Sequence, residues 1–372
     1  MGTGKLDVDA ILADPAIRIV VCCGSGGVGK TTTAAALAVR AAERHGRRTV
    51  VLTIDPARRL AQALGLTELD NTPRLVKGLQ PDSAELQAMM LDMKRTFDEV
   101  VLEHTDPKRA EEIFANPFYQ AMSSTFSGTQ EYMAMEKLGQ LRARDEWDLI
   151  VVDTPPSRSA LDFLDAPARL SRFLDGKMLR LLLAPARAGG RSVFNLVSAS
   201  FGLFSRTVTK ILGAQLLTDL SGFVGALDSM FGGFRERAEQ TYRVLQAPET
   251  AFLVVAAPEP DAVREAMYFA GRLAADRMPL AGLVLNRVVP VPAELAADEA
   301  RAAAERLDAL DGHQATAQVL RVHAELADQR DRQAAVSGRF LRAHPGVPVV
   351  KVPAQPADVH DLDGLRAIGV SF

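Results

Sequence analysis

Gly24, Ser25, Gly26, Gly27, Val28, Gly29, Lys30 and Thr31 have the types and spacing to hold a polyphosphate. A glycine, four residues and then Gly-Lys-Thr make the Walker A pattern. Its glycines let backbone N–H groups turn inward around phosphate oxygens. Lys30 can reach the outer phosphates and the Thr31 hydroxyl can ligate Mg2+, with Thr32 continuing the loop into a helix. Two carboxylates suit the same chemistry. Asp153 closes the apolar run Leu149–Val152, where a rim carboxylate can hold Mg2+ through water. Asp55 closes a second apolar run and precedes Pro56; it can orient an attacking water or accept its proton. Each Asp also has a plain structural reading, as a turn residue or cap at a strand end.

These residues need strands to deliver them to one rim. Apolar runs that read as strands are Ile17–Cys23, Thr49–Ile54, Leu86–Leu91, Leu149–Asp153, Phe252–Ala257, Leu283–Asn286 and Val347–Val352. Most are continuous rather than alternating, the pattern of strands covered on both faces of a parallel sheet. Alanine-rich helical stretches lie between several of them, such as Thr32–Arg44. The expectation is an α/β fold: a doubly wound, mostly parallel sheet of P-loop NTPase type. Two stretches break the alternation. Residues 94–146 and 157–247 read as helical insert segments, within a single ATPase domain spanning 1–372. Residues 292–343 read as solvated helices, and the Ala-Gly-Gly at 188–190 as a flexible joint. No internal repeat is present.

In this order the motifs resemble one family, the arsenical-pump and tail-anchored-protein targeting ATPases, in its bacterial form. GGVGKT at 26–31, Asp55-Pro56-Ala57, Asp153-Thr154-Pro155-Pro156, APEP at 257–260, LVLNR at 283–287 and VPAQPADVHDLDGL at 352–365 carry the resemblance. It implies that Lys30 and Thr31 bind phosphate and Mg2+, that Asp55 positions the hydrolytic water, and that Asp153 supports the Mg2+ shell. It further implies that Asn286 recognises adenine, that Pro353 opens the adenine-side loop, and that two subunits close on ATP. The chain also departs from the family. Ser25 stands where relatives carry a second lysine that reaches the facing subunit's nucleotide, and serine has no long cationic arm. Arg58 and Arg59 stand where relatives often have His and Ser. Ser157-Arg158-Ser159-Ala160 replaces the family's Thr-Gly-His-Thr. Ser25 favours a heterodimer with a related subunit over a homodimer.

Residues 192–234 hold four charged side chains and six phenylalanines. Leu216, Leu220, Phe223, Leu227, Met230 and Phe234 recur at spacings of four and three, which puts them on one helical face. That face reads either as the insert's own core or as a groove for a hydrophobic protein client or membrane partner. Met89, Met90, Met93, Met133 and Met135 read as core or as adaptable surface.

The rest of the composition narrows the classes. Net charge is −3 in 372 residues, against a generally basic nucleic-acid binder. The two cysteines, Cys22 and Cys23, are adjacent and read as buried strand thiols. No C-x-x-C pair exists to hold zinc, and the histidines are scattered. The first residues carry acids where a signal peptide has an apolar core, and no uncharged apolar run has the roughly 20 residues of a membrane span. The expected place is the cytoplasm, with visits to a membrane surface. The expected activity is Mg-ATP hydrolysis that opens and closes a dimer and handles a hydrophobic client. The alternatives are a weakly hydrolysing regulatory subunit of a heterodimer and the energising subunit of an anion efflux pump. A partition or cell-division ATPase would need a targeting tail or a basic surface, for which RAIGVSF at the C-terminus is poor material.

Overall fold

The computed structural model describes residues 4–55, 59–117, 119–120, 129–155, 236–310 and 312–372. The proposed client face from Leu216 to Phe234, the 188–190 joint, Pro56-Ala57-Arg58 and the segment after Pro155 lie outside the described residues.

One sheet of eight strands organises the chain. The strands are β1 (Ile19–Cys23), β2 (Thr49–Thr53), β3 (Arg74–Leu75), β4 (Leu86–Met90), β5 (Leu149–Asp153), β6 (Thr250–Ala256), β7 (Leu280–Val288) and β8 (Val349–Pro353). Their order is β3-β4-β2-β5-β1-β6-β7-β8. Every pairing is parallel except the two-residue β3 against β4. The sheet is the doubly wound, mostly parallel one expected from continuous apolar runs. All of β1, β2, β5 and β6 is buried, because helices cover both faces. All seven expected strands form, Leu149–Asp153 with both ends as expected and the others with ends shifted by up to three residues. β3 was not expected, and β7 runs on past Asn286.

The chain divides into two compact units. The first holds the sheet and comprises Met1–Met90, Arg144–Leu161 and Val244–Phe372. Its described helices are α1 (Val8–Ala13), α2 (Lys30–Arg44) and α3 (Arg59–Ala63), then α8 (Pro260–Ala275), α9 (Ala297–Asp308), α10 (Gln314–Ala343) and α11 (Leu362–Gly369). Helix α2 is nearly all alanine on its packing faces, so it lies close to the sheet. Its residues from Ala34 to Ala42 join one core cluster with Val20, Val51, Val151, Leu253 and Val352. Leu365 and Ile368 of α11 seal the same cluster. Arg47 ties the strand starts together: its guanidinium donates to the carbonyls of Leu12, Asp14, Ile17 and Asp148.

The second unit comprises Leu91–Ala143 and Asp162–Arg243. It holds α4 (Met93–His104), α5 (Pro107–Ala115), most of α6 (Thr129–Arg144) and most of α7 (236–246). Ion pairs join these helices. Lys137 meets Glu99 at 2.6 Å, and Arg237 meets the buried Glu136 at 2.9 Å. Met89, Met133 and Met135 are fully buried, which makes them core. Among the described residues no helix is long and apolar enough to cross a membrane.

Candidate nucleotide site

Parallel strands end on one rim of the sheet, and the strand order reverses at β1, which sends its successors to opposite sides. That is where doubly wound folds bind ligands. The phosphate loop leaves β1 there. Gly24, Gly27 and Gly29 have φ of +156°, +76° and +92°. A Cβ on Gly24 would lie 2.1 Å from the Val255 carbonyl oxygen of β6, and one on Gly29 would lie 2.2 Å from Asn286 Nδ2. Only glycine fits between those neighbours. Helices α1, α4, α5 and α11 each begin on an Asp whose side chain accepts a backbone N–H. Helix α2 begins on Gly29 with no side-chain cap. Its first-turn N–H groups and positive dipole end therefore stay available to an anion.

Lys30 is buried, with Nζ donating to the Ser25 carbonyl at 2.7 Å. Burial pulls its pKa down, while Asp153, Cys23, Asp55 and Cys22 oppose that shift. An ammonium held largely out of water at the rim is placed to receive phosphate charge. Asp153 lies on β5, opposite Thr53 of β2 on one side and Cys22 of β1 on the other. Its Oδ2 accepts from the Thr53 hydroxyl at 2.9 Å. Its Oδ1 is buried with no hydrogen-bond partner, as is Ser25 Oγ. Burial raises the Asp153 pKa to about 6, against the pull of the Thr31 and Thr53 hydroxyls and Lys30. An orphaned carboxylate oxygen beside the Thr31 hydroxyl fits a hydrated divalent cation, which would complete both groups. Asp55 is half-buried one strand away, its N–H directed to the Thr53 hydroxyl at 3.2 Å.

These groups open on one cleft of about 900 Å3. Its walls include Gly27, Gly29, Lys30, Thr31, Thr32 and Asp55, together with Asn286, Pro353 and the loop through His360. The structure thus brings together Lys30, Thr31, Asp55, Asn286 and Pro353, with Asp153 buried behind them. Asn286 Nδ2 donates to the Val28 carbonyl at 2.8 Å, so its amide also braces the phosphate loop. Cys22 and Cys23 are both buried and free. Burial raises both thiols, Cys23 to about 12, so neither is a nucleophile here.

Sequence reasoning missed Thr53, whose link to Asp153 joins residues one hundred positions apart. It also missed Gln62 and Arg287 on the cleft wall. Arg287 sits at φ +60°, beside the register shift between β7 and β8. No local pattern marks an arginine for that conformation. Arg59 was visible only as an unusual residue after Asp55.

The anion-transporting ATPase family model matches residues 17–311, from the start of β1 past β7. The chain belongs to the anion-transporting ATPase family. Membership places it among P-loop ATPases, and the phosphate loop, Asp55, Asp153 and Asn286 fall inside the matched span, whereas Pro353 and the loop through His360 lie beyond it. Among curated proteins, a Paramecium tetraurelia "ATPase ASNA1 homolog 2" is 25% identical over 75% of this chain and 78% of its own length. A Malassezia globosa "ATPase GET3" is 29% identical over 44% of this chain and 46% of its own length. A Halobacterium salinarum "putative arsenical pump-driving ATPase" is 32% identical over 46% of this chain and 27% of its own length. The chain thus spans less than half of the Malassezia and Halobacterium proteins.

Proposed function

We propose that this chain binds and hydrolyses Mg-ATP, and that the cycle opens and closes a dimer which handles a hydrophobic protein client or membrane partner. The observation that carries the first part is the pairing of the buried Lys30 with the orphaned Asp153 oxygen at the rim of one sheet, behind an uncapped helix start. The loop N–H groups and Lys30 bind the β- and γ-phosphates. Thr31 and Asp153 would hold Mg2+, the latter through water, and such an ion would supply positive charge against that developing on the phosphates. Asp55 orients the water for in-line attack and takes its proton. Asn286, Pro353 and the following loop enclose the base. The dimer and the client rest on the resemblance carried by the motifs. They rest also on the apolar periodicity of Leu216, Leu220, Phe223, Leu227, Met230 and Phe234.

A second reading is a nucleotide-binding subunit that hydrolyses only beside a related partner. Ser25 favours it, because this loop lacks a cation that could cross to a facing subunit. Sedimentation of the purified chain with ADP and aluminium fluoride, alone and with a candidate partner, separates the two. Closure of the chain on itself supports the homodimer; closure only with the partner supports the heterodimer. A monomer under every condition would remove the dimer from the proposal.

A further inference from the structure

Helix α3 begins four residues after Asp55, and it presents two polar side chains to the same cleft as the phosphate loop. Arg59 and Gln62, three apart, both line the cleft and both are exposed, while Leu60, Ala61 and Ala63 between and after them are buried. The helix is thus anchored by its apolar side and offers a guanidinium and an amide to the cleft that Lys30 and Thr31 also line.

Among the described residues the Arg59 side chain makes no ion pair or hydrogen bond. Several other arginines of this unit spend their charge on carboxylates instead. Arg18, Arg40, Arg48, Arg74 and Arg366 all meet carboxylates at 3.0 Å or less. The cleft is also short of cations for its task. Lys30 is buried and tied to the Ser25 carbonyl, and the position before it in the loop that could carry a second cation is Ser25. Two carboxylates, Asp55 and Asp153, add negative charge at the same rim. A triphosphate brings three more phosphate groups, and phosphoryl transfer spreads charge over the γ-phosphate oxygens. A guanidinium on a wall of the cleft that Asp55 also lines is chemically suited to them, since its planar fork matches two phosphate oxygens.

We propose that Arg59 is a phosphate-contacting arginine supplied in cis, which takes over from the absent loop lysine and discriminates a triphosphate from a diphosphate. This rests on the Mg-ATP reading of the cleft. Arg287, the other arginine on the cleft wall, follows Asn286 on β7, whereas Arg59 opens the helix that follows Asp55.

The test measures Mg-ATP and Mg-ADP binding by calorimetry, together with turnover, for the full chain and for Arg59→Ala and Arg59→Lys. An arginine supplied to the transferred phosphoryl group changes kcat by about 1,000-fold or more in enzymes that use one. Arg59→Ala should therefore lower turnover by at least ~100-fold. It should weaken ATP binding by about tenfold while leaving ADP within about twofold, the expected loss of one charge-assisted contact. Arg59→Lys should recover part of the ATP preference and little of the turnover, because it restores charge without the fork. If the wild-type chain binds neither nucleotide, the Mg-ATP reading itself fails. If it binds both and Arg59→Ala keeps the wild-type ATP-to-ADP ratio, the Arg59 proposal alone is overturned, even where turnover is too slow to follow.

Discussion

Replacing Asp153 by Asn should make the nucleotide-free protein more stable while destroying its response to Mg2+. The carboxylate is fully buried, one oxygen bonds Thr53, and the other has no partner. Its pKa is raised from 3.8 to about 6 by burial. A raised acid contributes stability that is complete below its unfolded pKa and lost as pH climbs through the folded one. With those two values the ionised group costs the native state about 3 kcal/mol at pH 7.5 and about 1 kcal/mol at pH 4.5. Asn keeps the shape and removes the charge, although Lys30 loses an attractive neighbour. The net gain should lie at about 1–3 kcal/mol at pH 7.5 and shrink by about 2 kcal/mol at pH 4.5. Urea unfolding of both proteins in EDTA at the two pH values reads this directly, because all other titrating groups are shared. A variant less stable than wild type by the same margin at both pH values would refute the reasoning: Asp153 would then be held by partners, not penalised by burial. In the same variant, Mg2+ should no longer strengthen ATP binding.

Arg47→Ala strips a guanidinium from the Leu12, Asp14, Ile17 and Asp148 carbonyls and should destabilise the protein by about 3 kcal/mol or more, read by chemical unfolding. Gly24→Ala forces a Cβ against the Val255 carbonyl, so a strand backbone must move; expect a loss of about 3 kcal/mol or more and no nucleotide binding in calorimetry. Asn286→Ala removes the donor to the Val28 carbonyl and should weaken ATP and ADP alike, by about tenfold. A selective loss of ATP in that variant would contradict its placement at the base end of the cleft.

The sequence carried the parallel sheet because a strand covered on both faces needs a continuous apolar run, and TVVL or LIVV leaves little other reading. The phosphate loop was legible for a similar reason: glycine spacing is a local demand of the backbone. Other features depend on what lies across the fold. β3 is two residues, Arg74 and Leu75, on the sheet edge, with too little pattern to notice. Thr53 looked like any residue of a buried strand until the register placed it opposite Asp153. Asn286 was read for a ligand, yet its amide also holds the Val28 carbonyl, a contact spanning 258 positions. Arg287 takes a left-handed conformation at a register shift that no composition announces. Cys22 and Cys23 were read correctly as buried strand thiols, because adjacent strand residues point to opposite faces and both faces are covered.

The account stands on Lys30 acting with Mg2+ on ATP, and the most direct measurement is phosphate release by the purified full chain. Wild type should release phosphate from ATP only when Mg2+ is present. Lys30→Ala should fall to the buffer background while keeping its far-ultraviolet circular dichroism. Equal turnover by Lys30→Ala and wild type, both folded, would contradict the assignment of this cleft as the hydrolytic site.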